Sequence, residues 1–111
     1  MQEATFLIQG SADEPYIVRF IRKSPTNLSA YCSCPAGQNG QYCKHRTTIL
    51  AGDDCNVVSN NIADIARVKE WCKGTDIESA LNEIHEFEHQ LFELKELLKK
   101  SKKKLAIAMR D

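Results

Sequence analysis

Three cysteines and one histidine crowd a short stretch of the chain. Cys32 and Cys34 are one residue apart, and after eight further residues Cys43 and His45 repeat that spacing. Residues i and i+2 of an extended chain point to the same side, so Cys32 and Cys34 can present two sulfurs from one strand end. Cys43 and His45 give the second pair, with His45 opening a helix. Three thiolates and one imidazole fill the tetrahedral shell of a structural zinc ion and leave no position for a catalytic water. The spacing therefore predicts one non-catalytic Zn²⁺ per chain.

A second histidine motif matches a metalloprotease pattern. In HExxH sites, two histidines four apart on a helix bind zinc and the glutamate acts as general base. Here the motif would consist of His85, Glu86 and His89, but Glu83 and Glu88 crowd it with charge and no third ligand follows. We therefore interpret it as a solvated helix face. A metallohydrolase remains a remote alternative, and the chain is predicted not to be an enzyme.

The elements that would position the four metal ligands are short. Residues of high β propensity, separated by turn residues, predict three strands in an antiparallel meander. The predicted strands are Thr5–Gln9, Pro15–Lys23 and Leu28–Cys32. Pro35–Tyr42 is predicted as a loop, since Asn39 and Gly40 form a strong turn pair. His45–Ala51 is predicted as a helix that stops at Gly52.

Two further helices are predicted in the second half of the chain. One begins after Ser59 or Asn60, either of which is a good N-cap, and closes at Gly74. A capping box over residues 75–78 (TDIE) then starts the last helix. Because residues 76–109 contain no Gly or Pro, this helix is predicted to be long and uninterrupted.

These elements define a fold class and a division of the chain. The predicted class is α+β, with a small antiparallel sheet and a ββα-like zinc finger, then a helix and a long C-terminal coiled-coil helix. The predicted domains are a finger at 1–52, a linker and short helix at 53–74, and a dimerisation helix at 75–111.

The ligand spacing also resembles a known family. Cys-Ser-Cys-Pro at 32–35 followed by Cys-Lys-His at 43–45 is similar to the SWIM zinc finger, whose pattern is CxC, a variable gap and CxH. Tyr16-Ile17-Val18 resembles the strand that precedes the motif, so the likeness spans about Thr5 to Gly52. It implies the same four zinc ligands, a small sheet with a helix around zinc, and DNA or protein as partner. The chain would be a small stand-alone member of bacterial or phage type.

The long helix carries an apolar seam with coiled-coil periodicity. With Ile77 at heptad position a, the a and d positions are mostly apolar over more than four heptads. The predicted dimer contacts are Ile77, Ile84, Phe87, Leu91, Leu94, Leu98 and Leu105. An antiparallel homodimer places Glu83 beside Lys104 and Glu88 beside Lys95 or Lys102 of the other copy. A break near Ser101 that folds the helix end back is the rival.

Composition excludes several classes of protein. Fifteen basic and fifteen acidic residues give a net charge of zero, which argues against a uniformly basic surface. No apolar run is long enough to span a membrane, and no signal peptide is expected, so a cytoplasmic location is predicted. In that reducing setting Cys55 and Cys72, both in apolar surroundings, are expected to be buried, inert thiols.

Several basic residues are candidates for phosphate contacts. They are Lys44 and Arg46 beside the zinc ligands, and Arg19, Arg22 and Lys23 on the second strand. The lysines of residues 99–104 either bind phosphate or form a solvated helix end that pairs with glutamates. The leading hypothesis is a dimeric, non-enzymatic zinc module that binds DNA or a protein. The alternative is a protein–protein adaptor or inhibitor that does not bind nucleic acid.

Overall fold

The computed structural model describes residues 1–110 and confirms the α+β class. Three strands and four helices follow one another in this part of the chain. They are β1 (Gln2–Ile8), β2 (Tyr16–Ser24), β3 (Asn27–Cys32), α1 (Pro35–Gln38), α2 (Lys44–Leu50), α3 (Asp64–Cys72) and α4 (Asp76–Ala108). None of the helices in residues 1–110 is long and apolar enough to cross a membrane.

The strands form an antiparallel sheet in the order β1-β2-β3. Phe6 pairs with Val18, which pairs in turn with Cys32, so the register places the first metal ligand next to buried Val18. β1 begins earlier than predicted because Gln2 and Glu3 also pair with β2. Side-chain contacts across the strands, from Arg22 to Gln2 and from Arg19 to Glu3, support this extension.

One face of the sheet contributes to a small hydrophobic core. Phe6 and Phe20 are fully buried and meet edge to face, with ring centroids 6.1 Å apart. Ile49 of α2 and Val68 of α3 are equally buried, and α2 contacts both α3 and β3. Burying each such side chain stabilises the fold by roughly 1.5–3 kcal/mol. Residues Met1–Glu78 form one compact unit, and a second unit begins at Ser79.

The outer edge of β1 is covered by residues 56–61, here called the edge strap. We predicted this stretch as part of a linker, but it is tied to β1 by hydrogen bonds. These are Gln9 N to Asn56 O (2.9 Å), Val58 N to Leu7 O (2.8 Å), Leu7 N to Ser59 Oγ (3.1 Å) and Asn61 Nδ2 to Thr5 O (2.7 Å). The strap thus satisfies backbone groups that an edge strand would otherwise expose.

Two local predictions are wrong for identifiable reasons. Residues 35–38, predicted as loop, form the helical turn α1, because Pro35 stands at its first position and the Cys34 sulfur accepts a hydrogen bond from Gly37 N. α3 begins at Asp64 rather than directly after Ser59 or Asn60. The Ser59 hydroxyl instead accepts a hydrogen bond from Leu7 N and donates one to Asn61 Oδ1.

α4 begins with the predicted capping box. Thr75 Oγ1 accepts a hydrogen bond from Glu78 N at 3.4 Å, and the Glu78 carboxylate accepts one from Gly74 N at 3.2 Å. The reciprocal bond reaches Gly74 rather than the cap residue itself, which differs from the usual arrangement. The helix continues through Ser101 to Ala108, so the rival prediction of a break at Ser101 is wrong. None of its 33 residues is buried.

Candidate metal centre

The four predicted ligands come from three consecutive elements. Cys32 ends β3, Cys34 caps the start of α1, Cys43 caps the start of α2, and His45 lies in the first turn of α2. Both CxC and CxH pairs therefore straddle the boundary of an element, where the backbone is extended. The Cys34 and Cys43 backbones have ψ angles of 160° and 117°, as extended residues do. The structure brings the four side chains together as the spacing predicted.

The four donor atoms are spaced as tetrahedral coordination requires. They all lie within 4.8 Å of one another. Cys34 Sγ is 3.4 Å from Cys43 Sγ, and His45 Nδ1 is 3.5 Å from Cys43 Sγ and 3.8 Å from Cys32 Sγ. A tetrahedron with Zn–S bonds of about 2.3 Å has edges of about 3.8 Å. The donor set therefore fits Zn²⁺, with Nδ1 as the donor of His45.

Backbone amides approach two of the sulfurs. Gly37 N donates to Cys34 Sγ at 3.3 Å, and Cys34 N donates to Cys32 Sγ at 3.5 Å. Amide donors stabilise thiolates, the form in which cysteine binds metal. Gly37 sits so close that an added Cβ would lie 2.5 Å from Cys32 O. The sequence predicts that Gly37 lets the loop fold back, but it does not predict the close approach to Cys32 O.

Burial and hydrogen bonding act in opposite directions on the thiols. Burial raises the pKa of Cys32 to about 12. Burial also acts to raise the pKa of Cys43, but hydrogen bonds from the Arg46 amide and from the neighbouring thiols and imidazole hold that pKa at about 6. Burial beside one another opposes the simultaneous ionisation of Cys32 and Cys43 in the absence of a cation. A bound divalent cation would supply the compensating charge for their deprotonation.

The His45 ring is held on its other side by groups that are not ligands. Tyr16 packs against it, with ring centroids 4.9 Å apart. A Cβ added at Gly10 would lie 3.2 Å from His45 Nε2, so Nε2 lies against the turn that follows β1. The two nitrogens thus face different surroundings, Nδ1 the sulfurs and Nε2 the Gly10 turn.

Three buried cysteines and a half-buried histidine in a small sheet-and-helix unit fit the ligand set of a structural zinc site. Residues 20–50 match the SWIM zinc finger family. The match confirms the resemblance seen in the sequence, over a shorter segment that begins at Phe20 and contains all four ligands. No curated protein and no solved structure matches the chain.

The arginines predicted to contact phosphate are engaged within the protein. Arg46 donates to Ala30 O at 3.1 Å and to Gln41 O at 2.6 Å, which joins β3 to the loop between the ligand pairs. Arg19 pairs with Glu3, and Arg22 bonds to Gln2. Lys44 and Lys23 are exposed and form no salt bridge within residues 1–110.

The remaining candidate residues lie apart from this centre. Cys72 is buried as predicted. Cys55 is exposed, and its backbone N–H donates to the Asp53 carboxylate, so the prediction of a buried Cys55 is wrong. His85 and His89 are exposed on α4, where His89 Nε2 is 3.1 Å from the Glu93 carboxylate. Neither histidine belongs to a metal-type cluster among residues 1–110.

Proposed function

We propose that the chain is a non-enzymatic SWIM-type interaction module. In it Cys32, Cys34, Cys43 and His45 bind one Zn²⁺, α4 pairs two copies, and the paired fingers bind DNA or a protein. The observation that carries the zinc role is the convergence of four donors at tetrahedral spacing in a buried site. Because four protein donors complete the zinc shell, the ion would stabilise the fold and not activate water.

Dimerisation through α4 is supported by the exposure of its apolar seam. Phe87, Leu91, Leu94, Leu98 and Leu105 are each more than half exposed. A surface helix normally buries its apolar stripe, and exposed apolar patches mark interaction sites. The periodicity of the seam matches a partner helix of the same kind, most simply that of a second copy.

Charge selects the antiparallel orientation of the pair. Glu83 and Lys104 occupy g positions, and neither forms a salt bridge within residues 1–110. An antiparallel pair brings g positions together, so each acidic residue would face a lysine of the other copy. It also opposes Phe87 to Leu98 and Leu91 to Leu94. A parallel pair would instead set acidic halves beside acidic halves.

The oligomeric state tests this arrangement. Light scattering at micromolar concentration should give the mass of a dimer. Glu83→Lys should weaken the dimer, and adding Lys104→Glu should restore it, because the reversed pairs attract again. Lys103→Glu, on the opposite side of the helix, is the matched control and should leave the dimer intact. A monomer of the unaltered protein at this concentration would reject the proposal.

DNA is the first candidate partner because lysines remain available. Lys100 and Lys103 lie in the C-terminal part of α4, are exposed, form no salt bridge within residues 1–110 and lie off the apolar seam. Zinc-loaded protein should bind labelled duplex DNA at low salt, with affinity that falls steeply as salt rises, since counterions are released from phosphates. Replacing Lys100 and Lys103 by Gln should weaken that binding further, and Lys69→Gln should not.

A protein partner without nucleic-acid binding is the second candidate. It is favoured by the engagement of Arg19, Arg22 and Arg46 within the fold. The outer face of the sheet also exposes about half of Ile17 and of Tyr31, apolar surface of the kind that protein interfaces use. Absence of DNA binding even at low salt would select this candidate.

A further inference from the structure

A cavity of about 290 Å³ opens beside the metal centre. Its walls come from the end of β1 and the following turn, with Gly10 and Ser11, and from α2, with Lys44, His45 and Thr48. The cavity belongs wholly to the Met1–Glu78 unit. It is large enough for one side chain of a partner.

His45, a wall residue of the cavity, would gain a fixed hydrogen-bond donor on binding zinc. The polar contacts of the His45 ring within residues 1–110 are made by Nδ1, to Cys32 and Cys43. When Nδ1 binds a metal, the neutral imidazole keeps its proton on Nε2. Nε2 lies against Gly10, which also lines the cavity. Metal-bound histidines usually donate this second N–H to a carboxylate or a carbonyl.

The lining residues give the cavity a net positive charge. The Gln9 amide donates to Gly10 O and Ala12 O, and the Thr48 hydroxyl donates to His45 O at 3.1 Å, so both are occupied. Lys44 is the only charged residue among those that line the cavity. The Lys44 ammonium and the His45 imidazole N–H are both groups from which a carboxylate can accept hydrogen bonds.

We propose that this cavity binds a single carboxylate side chain of a partner protein, through Lys44 and the Nε2–H of His45. The proposal rests on the zinc module proposed above, because Nε2 is a fixed donor only when Nδ1 binds the metal. It assigns a chemical class to one contact of that module. Ile8 supplies an apolar wall suited to the methylene groups of a glutamate.

The surroundings of the cavity favour a protein over a nucleic acid. Asp13 and Glu14 follow Ser11 closely, and Asp53 and Asp54 precede Asn56, another residue of the wall. All four acidic residues are exposed, and their charge repels a chain of phosphates. A lone glutamate flanked by lysines matches both the positive cavity and its acidic neighbours.

The test is an NMR titration of zinc-loaded, ¹⁵N-labelled protein. The probe is a capped pentapeptide with a central glutamate and two lysines on each side, and the comparison peptide has glutamine at the centre. The glutamate peptide should shift the amide signals of Gly10, Ser11 and Lys44 and the Nε2–H signal of His45, with saturation. Lys44→Gln should weaken its binding about tenfold, as loss of a charged hydrogen bond does. Lys69→Gln, an exposed lysine outside the cavity, should bind as the unaltered protein does.

Each other result would overturn the proposal. Equal shifts from the glutamine peptide would show that the lysines of the probe do the binding. Larger shifts of the same signals by duplex DNA would assign the cavity to phosphate. No shift in a sample that contains one zinc per chain would remove this site and leave the zinc module intact. Loss of zinc from the sample would instead count against the module itself.

Discussion

The ligands of the metal centre depend on neighbours that carry no ligand atom. Gly37 supplies an amide to the Cys34 sulfur, and the Arg46 guanidinium ties the loop between the two pairs to β3. Tyr16 packs against the His45 ring and limits its rotation. Such outer contacts set the orientation of metal ligands and contribute strongly to metal affinity.

At this scale, Cys34→Ser should abolish stoichiometric zinc binding. The variant removes one of three thiolates from a site that has no spare ligand. Elemental analysis of purified protein should fall from one zinc per chain to well below one. Cys55→Ser, an exposed cysteine outside the cluster, is the matched control and should keep its zinc. Equal zinc contents in both variants would contradict the assigned ligand set.

Gly37→Ala should weaken zinc binding although no ligand changes. Its Cβ would lie 2.5 Å from Cys32 O, so β3 and α1 would have to separate. We expect a loss of metal affinity of about 10- to 100-fold, as for other changes to residues that contact metal ligands. The affinity is measured by competition with a chelator. Gly40→Asn is the control, because Gly40 has φ of +70°, which Asn tolerates, and its Cβ would meet nothing. If the Gly37→Ala variant bound zinc with unchanged affinity, the close approach of Gly37 to Cys32 O would not be needed for metal binding.

The four ligands could be predicted because their spacing alone constrains them. The close approach of Gly37 to Cys32 O and the exposure of Cys55 could not be predicted, since both depend on the path of the chain. Gly37 matters only because α1 turns back onto Cys32 O, and Cys55 is exposed because Asp53 shapes the turn around it. An apolar sequence neighbourhood was not a sufficient signal for burial.

Among the elements, the start of α4 is fixed by side chains that were visible in the sequence. Thr75 is buried, and its hydroxyl also donates to Cys72 O at 2.6 Å, so one residue ends α3 and begins α4. The capping box could be predicted because it is local. The edge strap could not, because it joins residues far apart in the chain.

Thr75→Ala should therefore destabilise the protein by about 1 kcal/mol, the usual effect of losing an N-cap. The measurement is urea unfolding followed by the fluorescence of Trp71, the single tryptophan, which is buried in α3. Thr75→Ser keeps the hydroxyl and should lose less. If both variants unfolded at the same urea concentration, the hydroxyl would have no part in stability.

The whole molecule contains two units that differ in how much apolar surface they bury. The Met1–Glu78 unit has its own core and the zinc-type cluster, whereas none of the α4 residues is buried. The sequence predicted the contrast because heptads and metal ligands leave separate signals. The sequence did not predict that residues 56–61 are tied to β1, since these contacts are not periodic.

Zinc removal should affect the two units separately. In a chelator, the emission of Trp71 should move to longer wavelength, because the small core of its unit opens when the metal is lost. Helical circular dichroism from α4 should largely persist, because the proposed pairing of α4 does not involve the metal. Restoring zinc should reverse the shift. A loss of helical signal in proportion to the Trp71 change would show that the units unfold together.

The edge strap determines how much of the chain must be kept if the zinc finger is transferred to another protein. The segment that carries the family pattern, residues 20–50, contains neither β1 nor the strap. A fragment that ends at Gly52 would retain β1 but leave the backbone amides and carbonyls of its outer edge unpaired. Such an edge can pair with a strand of another molecule and promote fibril formation. Transplantation of this finger into another protein therefore calls for the whole of Met1–Glu78.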